Sequence, residues 1–154
     1  MQRTCVFPGS FDPITLGHVD IVRRGVDLFD KLIIGVGINS SKQPMYDNEL
    51  RIGWIREIFK DDNRIEVESY TGLTIDFCKK TNAQYILRGI RSVGDFEYEK
   101  AIADMNRALA HSVETVFLTS SPLLSTVSST LVRDVAKHGG DVSQFVPAEV
   151  QWKK

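Results

Sequence analysis

Short apolar runs alternate with amphipathic stretches along most of the chain. The apolar runs are typical of strands covered on both faces, and they span residues 4–7, 32–38, 65–69, 85–87 and 113–118. The amphipathic stretches predict helices over about 17–29, 48–59, 74–81, 96–110 and 129–137. Because strand–helix–strand crossovers are right-handed, this alternation favours a mainly parallel sheet. The pattern predicts an α/β fold, namely a Rossmann-like, doubly wound sheet of about five parallel strands with helices on both faces.

Apolar positions at helical spacing indicate which face of each helix packs on the sheet. The first helix aligns Val19, Val22, Val26 and Phe29. The second follows Asp47 as an N-cap and is expected to bury Leu50, Trp54, Ile55 and Ile58. The fourth aligns Tyr98, Ala101, Ile102, Met105 and Leu109, and the last ends before Gly139 and Gly140.

Composition changes this picture little but excludes some classes of function. A chain of 154 residues with 42% hydrophobic side chains fits one globular domain over residues 1–154. Its formal net charge of -1 provides no overall field to attract nucleic acid or an anionic membrane. Cys5 and Cys78 lack metal-ligand spacing and are interpreted as reduced packing thiols. With no recognisable signal peptide or membrane-spanning run, we expect a soluble, cytoplasmic protein.

The loop after the first strand has the character of a phosphate-binding site. It runs from Pro8 to His18 and leads into a helix that begins near Gly17. Glycines permit close backbone approach, and a helix start presents unpaired N–H groups and a partial positive charge. The Gly-Lys-Ser/Thr ending of a Walker A loop is missing. Gly35 and Gly37 lie within the second strand and are not interpreted as a dinucleotide fingerprint.

His18 is the most informative residue of this loop. In the first turn of a helix, its imidazole could donate a hydrogen bond to a phosphoryl oxygen. The helix dipole disfavours the imidazolium, so we expect a neutral donor until a triphosphate binds and draws in a proton. The alternative interpretation is a satisfied surface or capping histidine.

Two segments resemble signatures of the nucleotidyltransferase superfamily. Thr15-Leu16-Gly17-His18, after Gly9-Ser10-Phe11-Asp12-Pro13, is similar to the T/H-x-G-H signature. The segment from Val127 to Arg133, VSSTLVR, is similar to the I-S-S-T-x-x-R element that closes over ATP phosphates. Ser128 and Ser129 stand at the start of the last predicted helix, where hydroxyls and N–H groups can bind an anion. An ordinary serine cap is the alternative.

A third segment resembles one branch of that superfamily, the phosphopantetheine adenylyltransferases. Arg88-Gly89-Ile90-Arg91 directly follows the fourth predicted strand, and its two guanidinium groups could clamp phosphate oxygens. A surface turn is the alternative, but the DFEYE sequence from Asp95 to Glu99 completes a pairing found in that family. The resemblance extends from Cys5 to about Pro147. Departures are small: Leu16 replaces a common asparagine, and Ser10 replaces a common threonine.

The resemblance implies a set of site residues. His18, Lys42 and Arg91 are expected to be catalytic, although Lys42 by itself could be a solvated loop charge. The acceptor is expected to contact Ser10, Lys42, Leu73, Thr74, Arg88 and Asn106. ATP is expected to contact Ser10, Phe11, His18, Gly89, Ile90, Arg91, Glu99, Leu124, Ser125, Thr126, Val127, Ser128, Ser129 and Thr130.

The resemblance also implies a reaction. Members of the family join ATP and 4'-phosphopantetheine into dephospho-coenzyme A and pyrophosphate, the penultimate step of coenzyme A synthesis. Mg²⁺ is expected to bind through the substrate phosphates rather than through protein ligands. A homohexamer and feedback by coenzyme A are further implications. The alternatives are a sister transferase acting on nicotinamide mononucleotide or glycerol phosphate, a non-catalytic ATP-binding regulator, and a flavodoxin-like electron carrier.

Overall fold

The structure, a computed structural model, describes residues 2–153. Five strands in this range form one parallel sheet: β1 (Thr4–Gly9), β2 (Lys31–Gly37), β3 (Ile65–Tyr70), β4 (Tyr85–Ile90) and β5 (Glu114–Thr119). The strand order is β3-β2-β1-β4-β5, so the chain reverses its direction across the sheet between β3 and β4. Ligands of such sheets bind beyond the carboxyl ends of the strands at this switch, here those of β1 and β4. The predicted Rossmann-like sheet is confirmed.

Five α-helices connect or follow these strands in the described range. They are α1 (Leu16–Gly25), α2 (Asn48–Ile58), α3 (Thr74–Lys80), α4 (Val93–Leu109) and α5 (Ser129–Lys137). Short 3-10 turns follow α1 at Val26–Leu28 and β5 at Pro122–Leu124. Between residues 2 and 153, no helix has both the length and the apolar character required to cross a membrane.

An apolar cluster covers each face of the sheet. Alternate residues of a strand point to opposite faces, so one strand contributes to both clusters. Cys5 and Phe7 of β1 belong to one apolar cluster, whereas Val6 belongs to the other. The first cluster includes residues of α1, α2 and α5 together with the C-terminal segment, and the second includes residues of α3. Both cysteines are free and buried, and burial raises the pKa of both thiols, to about 11 for Cys78. They are packing thiols, as expected.

The structure corrects several local predictions. β4 continues to Ile90, so Arg88 lies within this strand rather than after it. Leu50 is 48% exposed, and its predicted burial is wrong. Asp47 stands at the N-cap of α2 but makes no capping hydrogen bond with its side chain.

The most informative difference concerns the apolar face of α4. The helix begins at Val93, three residues earlier than predicted. Ser92 is its N-cap, and the Ser92 hydroxyl accepts a hydrogen bond from the Asp95 N–H. Its buried residue is Glu99, whereas Tyr98, Met105 and Leu109 of the predicted apolar face are exposed. The apolar stripe of α4 therefore faces away from the core of this chain.

Candidate active site

Three adjoining cavities lie at the carboxyl edge of the sheet, and Ser10 lines all of them. The first, called here the phosphate cleft, has a volume of about 390 Å³ and lies between the starts of α1 and α5. The second, of about 600 Å³, lies between β1, α3 and α4 and is called the acceptor cavity because Thr74 and Asn106, two of the expected acceptor contacts, line it. The third, the loop cavity, is bordered by residues 38–48 and α5.

His18 takes part in both the cap of α1 and the phosphate cleft. Thr15 is the N-cap and accepts a hydrogen bond from the His18 backbone, while the Thr15 backbone N–H donates to His18 Nδ1 at 3.0 Å. A backbone N–H can only donate, so Nδ1 acts as an acceptor and the proton of a neutral ring resides on Nε2. The capping interpretation is therefore correct, and it also prepares Nε2–H as a donor for the cleft.

The ring of His18 is uncharged at neutral pH. Burial lowers its pKa to about 4, and the positive charges of Arg88 and Arg91 add to this effect. Phe11 packs edge-on against the ring, with 5.1 Å between the ring centroids. A neutral donor is thus held at the edge of a cleft that also contains two guanidinium groups.

The starts of α1 and α5, which come from opposite ends of the chain, meet in the phosphate cleft. Ser129 Oγ donates to the Pro13 carbonyl oxygen at 2.7 Å, and Arg133 Nη1 donates to the Asp12 carbonyl oxygen at 2.8 Å. A Cβ placed on Gly17 would lie 3.8 Å from the Val127 carbonyl oxygen, which is an ordinary van der Waals contact. The two segments are therefore adjacent at this point.

Ser128 combines the two interpretations that its sequence context left open. Its hydroxyl accepts a hydrogen bond from the Leu131 N–H at 3.2 Å and so caps α5. The same residue lines the phosphate cleft together with Ser129 and Thr130. Since a cap uses the hydroxyl oxygen as acceptor, the hydroxyl hydrogen remains available to an anion.

Arg88 is held between the phosphate cleft and the acceptor cavity, which it lines on both sides. Its Nε and Nη2 donate to the two carboxylate oxygens of Glu99 at 2.7 and 2.6 Å, and Nη1 donates to the Pro8 carbonyl oxygen at 2.7 Å. This bidentate pair fixes the plane of the guanidinium group. The remaining N–H groups of Arg88 are available to a ligand.

Arg91 reaches across the mouth of the same cleft. Its Nε donates to Asp95 at 3.0 Å, and its Nη1 lies 3.5 Å from the Val127 carbonyl oxygen on the opposite segment. Burial by itself would raise the pKa of Asp95, but hydrogen bonds from Arg91 lower it below its usual value. The pair is an ionised one at neutral pH.

Most of the predicted site residues line one of these cavities. The phosphate cleft is lined by Ser10, Phe11, His18, Arg88, Gly89, Arg91, Glu99, Leu124, Val127, Ser128, Ser129 and Thr130. Thr74 and Asn106 line the acceptor cavity, and Lys42 lines the loop cavity. Ile90, Leu73, Ser125 and Thr126 line none of the three.

Three charged residues were not predicted to belong to the site. Asp12 and Arg133 occur in the two signature segments, and Asp12 carries a buried carboxylate. Arg51 of α2 is only 3% exposed, and no local pattern distinguishes it from an ordinary surface arginine. All three line the loop cavity.

A parallel sheet whose carboxyl edge joins a T-x-G-H helix start to an S-S-T helix start defines a nucleotidyltransferase. The family model described as cytidylyltransferase-like matches residues 6–135. The fold is similar to that of a bifunctional NMN adenylyltransferase/ADP ribose pyrophosphatase from Francisella tularensis. The TM-score is 0.75 at 15% identity, and the match covers 97% of this chain and 46% of that one.

Curated relatives identify the branch. The phosphopantetheine adenylyltransferase of Flavobacterium johnsoniae is 51% identical over 153 residues, with 99% of this chain and 100% of the relative covered. The phosphopantetheine adenylyltransferase of Flavobacterium psychrophilum is 52% identical over 152 residues, with the same coverage. The chain belongs to the phosphopantetheine adenylyltransferase family.

Proposed function

We propose that this protein transfers the AMP part of ATP to 4'-phosphopantetheine and releases pyrophosphate, in the penultimate step of coenzyme A synthesis. The observation that carries the proposal is the meeting of two helix starts, His18 and two arginines in one cleft, which Ser10 connects to the acceptor cavity. An oxygen of the acceptor phosphate attacks the α-phosphorus, and the bond from that phosphorus to the β-phosphate oxygen breaks.

The acceptor phosphate is already an anion, so the reaction requires no general base. The protein has to align two anionic groups and offset the charge that develops on the α-phosphoryl oxygens. His18 Nε2–H is the donor for those oxygens in this proposal. Nε2 already carries a hydrogen, so the ring can take up a proton when a triphosphate enters only if Nδ1 releases the Thr15 N–H.

The cationic groups divide between the two substrates. Arg91, together with Ser128 to Thr130, is assigned to the β- and γ-phosphates, because it spans the cleft at that point. Lys42 and Arg88 are assigned to the acceptor phosphate. Glu99 is assigned to the nucleotide side of the cleft, and its bidentate pair also fixes Arg88 for the acceptor phosphate.

Mg²⁺ is assigned to the substrate phosphates. Within residues 2–153 no group of three His, Cys, Asp or Glu side chains is placed to hold a metal ion, and Asp95 and Glu99 are paired with arginines. A magnesium ion readily keeps phosphate and water ligands. When bound, it would neutralise negative charge on the triphosphate.

The proposal extends to the setting of the enzyme. We assign it to the cytoplasm, as a homohexamer whose activity coenzyme A inhibits by feedback. The exposed apolar stripe of α4 supports self-association, since monomers rarely expose a continuous apolar face.

A pyrophosphate-release assay with separate acceptors tests the proposal. We expect release with ATP and 4'-phosphopantetheine, and none with nicotinamide mononucleotide or glycerol 3-phosphate. Release with one of the other acceptors would identify a sister transferase. ATP binding without release on any acceptor would identify a nucleotide-binding regulator.

A further inference from the structure

The loop that carries Lys42 is anchored by buried charges rather than by regular secondary structure. Residues 38–47 connect β2 to α2, and the Lys42 side chain is exposed. In the described part of the chain, this side chain makes no hydrogen bond or ion pair. Fixing the backbone on both sides of Lys42 would reduce the ordering needed to place its ammonium group on a phosphate.

Asp12 holds one end of this loop. Its buried carboxylate accepts from the Met45 N–H at 2.8 Å and from the Tyr46 N–H at 2.9 Å. Asp12 itself belongs to the loop that carries Ser10 into the phosphate cleft. Two consecutive peptide N–H groups of the Lys42 loop are thus bound to the phosphate loop.

Arg51 of α2 holds the same end of the loop through a second set of hydrogen bonds. Its Nε donates to the Tyr46 carbonyl oxygen at 3.0 Å, and its Nη1 and Nη2 donate to the Ser10 carbonyl oxygen and to Asn48 Oδ1. Asp12 and Asp47 supply the negative charge that faces this guanidinium group. Arg51 therefore connects Ser10 directly to Tyr46.

The other side of Lys42 is fixed by a turn. Asn39 Oδ1 accepts from the Ser41 N–H at 2.9 Å, and the Lys42 N–H donates to the Asn39 carbonyl oxygen at 3.2 Å. Only Gln43 and Pro44 separate Lys42 from the Asp12 attachment. We propose that Asp12 and Arg51 are positioning residues that hold the Lys42 ammonium group in place for the acceptor phosphate.

The proposal rests on the proposed function, and a double-mutant cycle separates the two. Arg51→Gln and Lys42→Ala are each expected to lower kcat/KM for 4'-phosphopantetheine by about 10- to 100-fold, with KM for ATP little changed. Because Arg51 acts through Lys42, adding Arg51→Gln to Lys42→Ala is expected to lower kcat/KM less than twofold further. Arg56→Gln is the matched control, since Arg56 is exposed on the same helix.

Asp12→Asn provides the same cycle if Arg51→Gln does not fold. The asparagine keeps the shape but can accept only one of the two N–H groups. The proposal is overturned if Arg51→Gln, or Asp12→Asn, lowers kcat/KM by the same factor in the wild type and in Lys42→Ala. It is also overturned if Lys42→Ala keeps the wild-type kcat/KM while Arg51→Gln lowers it.

A second measurement needs no substrate. Amide hydrogen exchange at Met45 and Tyr46 is expected to be faster in Asp12→Asn than in the wild type, and unchanged in Arg56→Gln. Unchanged exchange in Asp12→Asn would contradict the attachment. If the wild type releases no pyrophosphate with 4'-phosphopantetheine, the proposed function fails, whereas the exchange result still decides whether the attachment exists.

Discussion

His18 shows how one side chain can serve the fold and the chemistry through different atoms. Nδ1 closes the cap of α1 with Thr15, which leaves Nε2 as the donor for the phosphate cleft. The cap also orients the ring, so that less ordering is needed when a ligand binds. At this scale, the contact that stabilises the helix start also selects the tautomer.

Replacing His18 with alanine tests the donor. We expect His18→Ala to lower kcat by about 100- to 1,000-fold, because a donor to the developing charge is lost, with KM for ATP nearly unchanged. Steady-state kinetics measure both constants. His138→Ala is the control, since His138 is exposed at the C-cap of α5. Wild-type turnover in His18→Ala would remove the role assigned to His18.

The depressed pKa of His18 predicts a pH dependence of stability. The folded-state pKa is about 4 and the unfolded one is about 6.5, so the unfolded chain binds more protons between these values. Stability contributed by the neutral ring is present above about pH 6.5 and is lost as the pH falls towards 4. Allowing for partial solvent screening, we expect a loss of about 1–3 kcal/mol.

Urea unfolding of the wild type and of His18→Gln measures this effect. Other groups that titrate in the same range are common to both proteins, so the difference between the two curves isolates His18. As the pH falls from 7 to about 4, the free energy of unfolding of the wild type should decrease more than that of the variant. A pH-independent difference would show that the pKa of His18 is not depressed.

At the scale of the elements, glycines determine how closely helices approach the sheet. Gly25 ends α1, and a Cβ at this position would lie 2.4 Å from Leu87 Cδ2 of β4. Leu87 is fully buried, so it has little room to move. Gly53, inside α2, has no heavy atom within 4 Å of such a Cβ among the described residues.

These two glycines form a matched pair for a stability test. Gly25→Ala is expected to destabilise the fold by about 1–3 kcal/mol through overpacking against Leu87. Gly53→Ala is expected to stabilise it by up to about 1 kcal/mol, because alanine is the better helix former and meets no neighbour. Chemical denaturation of both variants gives the comparison. Equal changes in the free energy of unfolding of the two variants would mean that Leu87 moves to accommodate the added methyl group.

For the whole molecule, the main unexplained surface feature is the outer side of α4. Tyr98, Ile102, Met105 and Leu109 follow one another at helical spacing and are all exposed, with Met105 at 68%. Glu99, on an adjacent side of the helix, is buried against Arg88, and Ile102 at the edge of the stripe also lines the acceptor cavity. The same helix therefore contributes a site residue inward and an apolar stripe outward.

We expect this stripe to be covered by other copies of the chain. Met105→Lys should reduce the assembly to smaller species, because a charge would have to be buried at the contact. Light scattering after size-exclusion chromatography measures the mass of each variant. Leu50→Lys, on an exposed part of α2, should leave the mass unchanged. An unaltered mass in Met105→Lys would mean that the stripe lies outside the contact.

Local patterns in the chain were sufficient for the sheet, the five helices and the two helix starts. Strand burial and helical spacing depend on residues a few positions apart, and the caps at Thr15 and Ser128 depend on neighbours within one turn. Which helix face would be buried was less predictable. Leu50 and the stripe of α4 are exposed, whereas two charged residues of these helices, Arg51 and Glu99, are buried.

Contacts between distant segments decided the rest. Asp12 binds the loop at Met45, Arg133 reaches back to the Asp12 carbonyl oxygen, and Arg88 finds Glu99, across separations that no periodicity encodes. A buried charge is tolerated only where partners from elsewhere in the fold satisfy it, so its place is known only once the chain has folded. Helices and strands followed from short-range spacing, whereas the orientation of each charged group in the site followed from packing.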